Sequence, residues 1–207
     1  MSAHGKFRRT GLTQTTPPEL EPVSLAEAKV HMRIRETDDD TYIDSLITMA
    51  REVVENYQNR QLIDATWTAT YTRFPESDDT AFILPYPPLS SITSIEYVDT
   101  DGDTQTWESS NYDVFIGDLR GEVRPGFDKS YPNTREHQEA VTIVFVAGYG
   151  EAATSVPMSA RQAMLLLVSQ FYEHREPVVI GASPMTVPMN VQFLMDQERI
   201  VEAHGSP

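Results

Sequence analysis

The sequence predicts an α+β fold, an α-helical bundle with an inserted antiparallel β module, and three observations carry that expectation. Apolar residues recur at helical spacing from Ile43 to Tyr57 and again from Ala160 to Tyr172. Between these runs the period falls to two, starting with Trp67, Ala69 and Tyr71 against Thr66, Thr68, Thr70 and Thr72. Turn formers then punctuate the middle at hairpin spacing: Pro85, Pro87 and Pro88, Asp101-Gly102, Gly117, Gly121 and Gly126. A chain of 207 residues is long enough to bury a sizeable core, roughly 70% of its unfolded surface.

Residues 1–22 read as an extended N-terminal arm. Pro17, Pro18, Pro22 and the Thr-rich stretch show no apolar periodicity, and the arm is expected to be flexible alone and pinned by neighbours. The helical core is expected at 23–62 and 155–176, the inserted β domain at 63–150, and a linker with a C-terminal segment at 177–207. Ser24 and Glu27 have the spacing of a capping box, which starts a short helix from Leu25 to about Ile34. Asp38, Asp39 and Asp40 suit the positive end of the next helix, whose stripe is Ile43, Leu46, Ile47, Ala50, Val53, Val54 and Tyr57, with an exit near Asn59.

Beyond the strand that starts at Ala65, further strands are expected at Ala81–Leu84, Ile92–Val98, Gln105–Trp107, Tyr112–Ile116, Glu122–Arg124 and Val141–Ala147. Short strands at this spacing make an antiparallel sheet or a small barrel. Pro157 suits a helical first turn, and the helix after it runs to about Arg175. A Pro/Gly-rich linker, Pro177 to Pro188, leads to a last amphipathic segment around Val191, Leu194, Met195, Ile200 and Val201.

Composition excludes several classes. The hydrophobic fraction is 40% and the mean hydropathy −0.38, with no apolar run near the ~20 residues of a membrane span. There is no cysteine, hence no disulfide, thiolate metal site or cysteine nucleophile. Sixteen basic against 31 acidic residues, net −15, argue against a broad grip on phosphate backbones. Residues 1–36 carry six Lys/Arg against four Asp/Glu, 37–140 seven against 21, and 141–207 three against six, so the acidity lies in the middle. No apolar stretch follows Lys6, Arg8 and Arg9, so the chain is expected to be made in the cytoplasm and not exported.

No motif for catalysis emerges. His4, His31, His137, His174 and His204 are scattered without metal-ligand spacing, and three successive Asp side chains at a helix start diverge. Asp99, Asp101, Asp103 and Glu108 depart from a calcium loop in the placing of Gly102 and of the Glu, and read instead as a polar hairpin turn. Gly148-Tyr149-Gly150 lacks the companions of a phosphate loop, and no Gly-x-Ser-x-Gly is present. The competing class is a metal-dependent hydrolase or nuclease, or a ligand-binding α+β domain, that uses the acidic central segment.

Several strings, in order, resemble a known family. Pro22-Val23-Ser24-Leu25-Ala26-Glu27-Ala28-Lys29, Arg33-Ile34 and Ile43 to Tyr57 with Ala50-Arg51-Glu52 look like the N-terminal half of tailed-phage head–tail connector (adaptor) proteins. The likeness continues through Leu84-Pro85-Tyr86-Pro87-Pro88-Leu89, Tyr97-Val98-Asp99, Asp101-Gly102 and Phe145-Val146-Ala147-Gly148-Tyr149-Gly150. It closes on Val156-Pro157, Gln162 to Val168 and Tyr172-Glu173-His174-Arg175-Glu176.

The resemblance implies a virion structural protein at the neck of a phage or a gene transfer agent, with neither catalytic residues nor a cofactor. Copies would form a ring, usually twelve-fold, below the portal protein and meet a stopper or tail-completion protein. Double-stranded DNA would pass through without specific binding, and no membrane is involved. It further implies portal docking by the C-terminal segment, with Val191, Phe193, Leu194 and Met195 as the contact. Asp99, Asp101 and Asp103 are the candidate lumen- or tail-facing acidic loop, since carboxylates along a conduit repel phosphate.

Overall fold

The computed structural model describes residues 7–78, 80–135, 137–174 and 188–201. They divide into two units: a β unit of Asp64–Tyr149 with the described residues before Leu20, and a helical unit of Leu20–Ile63 with the described residues from Gly150 on.

In the helical unit, Ser24 opens α1 (Leu25–Met32) with the full capping box: its hydroxyl accepts from the Glu27 amide, and the Glu27 carboxylate accepts from the Ser24 amide. The helix stops where Arg33 turns into the left-handed region at φ 60. α2 (Asp40–Gln58) follows and buries Ile43, Leu46, Ile47, Ala50 and Val54, ending at Asn59 in the same conformation, φ 54. Asp39 stands at its N-cap without a side-chain capping bond; its carboxylate accepts instead from the Tyr172 hydroxyl. α3 (Met158–Glu173) presents Ala160, Ala163, Met164, Leu167 and Val168 to the core, and α4 (Met189–Asp196) contributes Val191 and Met195. Both α1 and α4 pack on α2 and α3.

The β unit holds two antiparallel sheets. The five-stranded sheet runs β1 (Arg9–Thr16), β2 (Ala65–Tyr71), β8 (Val141–Ala147), β4 (Leu89–Val98), β5 (Thr104–Thr106) in spatial order; the three-stranded sheet runs β3 (Phe82–Leu84), β7 (Gly121–Pro125), β6 (Tyr112–Ile116). β8 is central, pairing with β2 from Ala65↔Ala147 to Tyr71↔Val141 and with β4 on its other side. Its sequence is apolar but for Thr142: its neighbours pair with both of its edges, and its alternate residues Val141, Ile143 and Phe145 are fully buried.

The structure differs from expectation in the arm. Residues Arg9–Thr16 are a strand paired with the chain's own β2, with Leu12 opposite Ala69 and Thr13 opposite Thr68. An edge strand needs backbone partners more than an apolar face, so Thr-rich sequence without periodicity still pairs. Likewise Trp107, expected within a strand, lies just past β5 and is buried at the core. Gly148 leaves β8 at φ +147, where a Cβ would sit 2.4 Å from the Asp64 backbone nitrogen, so this turn requires glycine. Among the described residues no helix is long and apolar enough to cross a membrane.

Candidate functional site

The acidic loop is a built turn, organised by one of its three carboxylates. Asp99 Oδ1 accepts from the amides of Asp101, Gly102 and Asp103, each at 3.0 Å, and its Oδ2 accepts from Gln105 Nε2 at 2.9 Å. The Gln105 side chain first, and then the amide of Asp103 with those of Asp101 and Gly102, hold the Asp99 carboxyl below its ordinary range. The side chains of Asp101 and Asp103 are exposed beside it. Asp99 is therefore the structural member of the trio, and Asp101 and Asp103 are those free to present charge outward.

The C-terminal segment is fastened to the last turn of α2. Gln58 Nε2 donates to the Met195 carbonyl at 3.0 Å, Asn59 Nδ2 to the Ile200 carbonyl at 2.9 Å, and the Ile200 amide to the Gln58 carbonyl at 2.9 Å. The Tyr57 hydroxyl donates to Asp196 at 2.6 Å, and the Arg199 guanidinium lies 4.6 Å over the Tyr57 ring. Of the four residues expected to contact the portal, Val191 and Met195 are spent inside the helical unit, each 1% exposed, and Leu194 is half-buried. Phe193 alone of them stands out, 67% exposed, one helical turn from Met189 at 86%.

Three features escaped the sequence reading. The first is an apolar groove of about 420 Å³ lined by Ala26, Glu27, Val30, His31 and Leu165, where α1 meets α3. The available signal was spacing alone, with Val30 one turn past Ala26 and Met158 two turns before Leu165; that Val30 and Met158 are strongly exposed is seen only in the structure. The second is β6. The five-stranded sheet has edges of a guarded kind, β1 bulged twice and β5 only three polar residues long, whereas β6 keeps a regular register and exposes Val114, Phe115 and Ile116.

The third is a buried charge network in the helical unit. Arg51 donates from Nη1 to Glu55 at 2.7 Å and from Nε to Glu21 at 2.9 Å, and Thr48 donates to the other Glu21 oxygen at 2.9 Å. Glu55 Oε1 takes the Leu62 amide at 3.0 Å and the Gln61 side chain at 2.6 Å. Burial pushes the Glu55 carboxyl up to about 7, against the pull of Arg51 and the Leu62 amide. Burial also works against the Arg51 cation, but Glu55 and Glu21 outweigh it and raise Arg51. An Arg and a Glu four apart would ordinarily be read as a solvated helix face.

Among the described residues no three His, Asp or Glu side chains are grouped to hold a metal ion. The conspicuous surfaces are the groove between α1 and α3, the exposed Met189 and Phe193 of α4 and the edge at β6, apolar faces of the kind that meet other proteins. The model of the head completion protein family matches residues 22–183, and the chain belongs to that family. The connector family that its sequence strings resemble is thereby borne out, and its function is structural, in completing the head of a phage or phage-like particle.

Solved structures share the fold. A chain from the neck of an empty gene transfer agent (GTA) particle, determined with C6 symmetry, is 23% identical over 95% of this chain and 98% of that chain, with a TM-score of 0.78. One from the virion of a native gene transfer agent particle is 24% identical over 94% and 98%, with a TM-score of 0.75. A third, from the neck of a native particle with C12 symmetry, is 23% identical over 95% and 98%, with a TM-score of 0.72. No curated protein matches the chain.

Proposed function

We propose that the chain completes the head as a head–tail connector: copies form a closed ring below the portal, at the neck of the particle, and pass DNA from head to tail. The single observation that carries this reading is the family match over residues 22–183. Likeness to neck chains of gene transfer agent particles, solved with C6 and C12 symmetry, supports a cyclic arrangement, with twelve copies as the proposed number. The portal on one side and a stopper or tail-completion protein on the other are the proposed partners.

The role is structural and non-catalytic. A net charge of −15 suits a conduit that repels phosphate instead of trapping it, and Asp101 and Asp103 are proposed to face the lumen or the tail. Electron microscopy of the purified chain mixed with the portal of the same particle tests the reading. A cyclic layer of added density on the portal, whose copy number is read directly, is the expected result. A chain that stays monomeric and adds no density would overturn it.

A further inference from the structure

We propose that Glu55 and Gln61 form a proton-operated latch in the helical unit: Glu55 gains and loses a proton under cover, the Gln61 amide turns over with it, and the hold of α2 on the C-terminal segment follows.

Glu55 is surrounded by donors. Arg51 Nη1 reaches one of its oxygens, Gln61 Nε2 and the Leu62 amide reach the other, and Arg51, Glu55 and Gln61 are all buried. That set suits an ionised carboxylate, which only accepts. A protonated one carries an O–H that needs an acceptor of its own. Neither a guanidinium nor the Leu62 N–H provides one, whereas a side-chain amide has a donating and an accepting end. Turning the Gln61 amide over brings its Oε1 to where its Nε2 stands and pairs the proton without moving the backbone.

The charge count opposes the donors. Glu21 takes Nε of the same guanidinium together with the Thr48 hydroxyl, so two carboxylates share one cation and the cluster carries one negative charge in excess. The charged groups on the elements packed against α2 are engaged elsewhere. Lys29 of α1 pairs with Asp40, and Glu27 of α1 with Arg161 of α3, which also donates to the Pro22 carbonyl. Tyr172 of α3 donates to Asp39, and Asp196 of α4 accepts from Tyr57, over whose ring Arg199 lies. His31 lines the α1/α3 groove, and on α2 itself Glu52 is exposed. Burial and Glu21 therefore favour the proton, Arg51 and the Leu62 amide favour the ionised form, and Glu55 is left at about 7.

This balance sits at the root of the C-terminal segment. Gln58, Asn59 and Arg60 hold the carbonyls of Met195, Ile200 and Glu198, and the Gln58 carbonyl takes the Ile200 amide. Gln61 and Leu62 continue the same run onto Glu55, and the Arg60 amide donates to the Glu55 carbonyl at 3.1 Å. One continuous stretch of five residues is thus fastened to Glu55 at one end and to the C-terminal segment at the other. Cover is what raises Glu55, so the closed run holds the proton more tightly than an open one. That advantage is full below the ordinary value of 4.5 and is lost as pH rises through 7, where run and segment open more readily while the rest of the chain stays folded.

Nuclear magnetic resonance of the isotope-labelled full chain tests the latch. The Glu55 carboxyl is expected to titrate near 7, and the Gln61 side-chain amide to shift with the same midpoint. Amide exchange, corrected for the intrinsic rate, should show the protection of Leu62 and Ile200 falling about tenfold or more from about pH 5 to 7.5 and then levelling off. Ile143 in the centre of β8 should keep its protection throughout. In Glu55→Gln, which keeps a neutral group at every pH, the pH dependence at Leu62 and Ile200 should vanish.

A Glu55 carboxyl that titrates in the ordinary carboxylate range would overturn the latch. So would a titration near 7 to which Gln61, Leu62 and Ile200 do not respond, since that is a buried acid that moves nothing. A Glu55→Gln chain with the wild-type pH dependence at Ile200 would overturn it as well. Should that variant not fold, the wild-type titration decides alone.

Discussion

The β unit is held by aromatic area, the helical unit by buried polar side chains. In the former, Phe74 meets Phe82, Trp107 and Tyr131 with ring centroids 5.8, 5.2 and 5.2 Å apart, and Glu122 is the buried charged residue among those described. In the latter, Arg51, Glu55, Gln58, Arg60 and Gln61 are all buried beside an aliphatic core. The reason lies in the backbone. Sheets pair their own amides and carbonyls and need only packed area, while a helix end leaves carbonyls unpaired. Gln58, Asn59 and Arg60 use their side chains to bind the carbonyls of Met195, Ile200 and Glu198, so polar groups at the end of α2 fix a segment that has little regular structure of its own.

The difference can be broken or sharpened by experiment, and the chain supplies its own reporters. Both tryptophans, Trp67 and Trp107, lie in the β unit, so fluorescence follows that unit and the far-ultraviolet helix signal follows the other. The largest effect is expected for Phe82→Ala. It removes a fully buried ring from the aromatic cluster, at a cost of roughly 3–5 kcal/mol, and should lower the fluorescence transition first. Equal and simultaneous loss of both signals would show that the two units unfold as one.

Next comes Arg51→Ala, which strands Glu55 and Glu21 without their cation and should destabilise by about 3 kcal/mol, read in the helix signal. The pH dependence is a third test. Glu55 rises from 4.5 unfolded to about 7 folded, so the folded unit holds the extra proton. The stability this confers is fully present below pH 4.5 and is lost as pH rises through 7. The thermal midpoint of the helix signal should therefore fall between pH 5 and 8 in the wild-type chain, and Glu55→Gln should flatten that slope. Glu27 works in the opposite sense at lower pH: its carboxyl is held down by the Ser24 amide first, so its contribution is lost on acidification.

The smallest effect belongs to Ser24→Ala. The hydroxyl caps a single amide at the start of α1, so about 1 kcal/mol is expected, again confined to the helix signal. Loss of the fluorescence transition in this variant would contradict the division between the units.

Much of this contrast was legible residue by residue. The capping box at Ser24, the stripe from Ile43 to Tyr57 and the alternation through Trp67, Ala69 and Tyr71 are local patterns, and each became the expected element. Arg9–Thr16 was not legible as a strand, because what makes it one is the free edge of β2. Arg51 and Glu55 were not legible as buried, because nothing in their i,i+4 spacing separates a pair facing solvent from one covered by other elements of the unit.

By itself the sequence determined the class and order of the elements from α1 onward, the absence of thiol chemistry, the acidity of the middle and, through its ordered strings, the family. All of these are properties of neighbours along the chain. Only the tertiary structure decided which apolar faces were already taken. Val191 and Met195 look no different in sequence from Met189 and Phe193, yet α2 and α3 cover the first pair and leave the second open. Hydrophobic periodicity reports that a face seeks a partner; whether that partner lies within the same unit depends on what the fold brings opposite it.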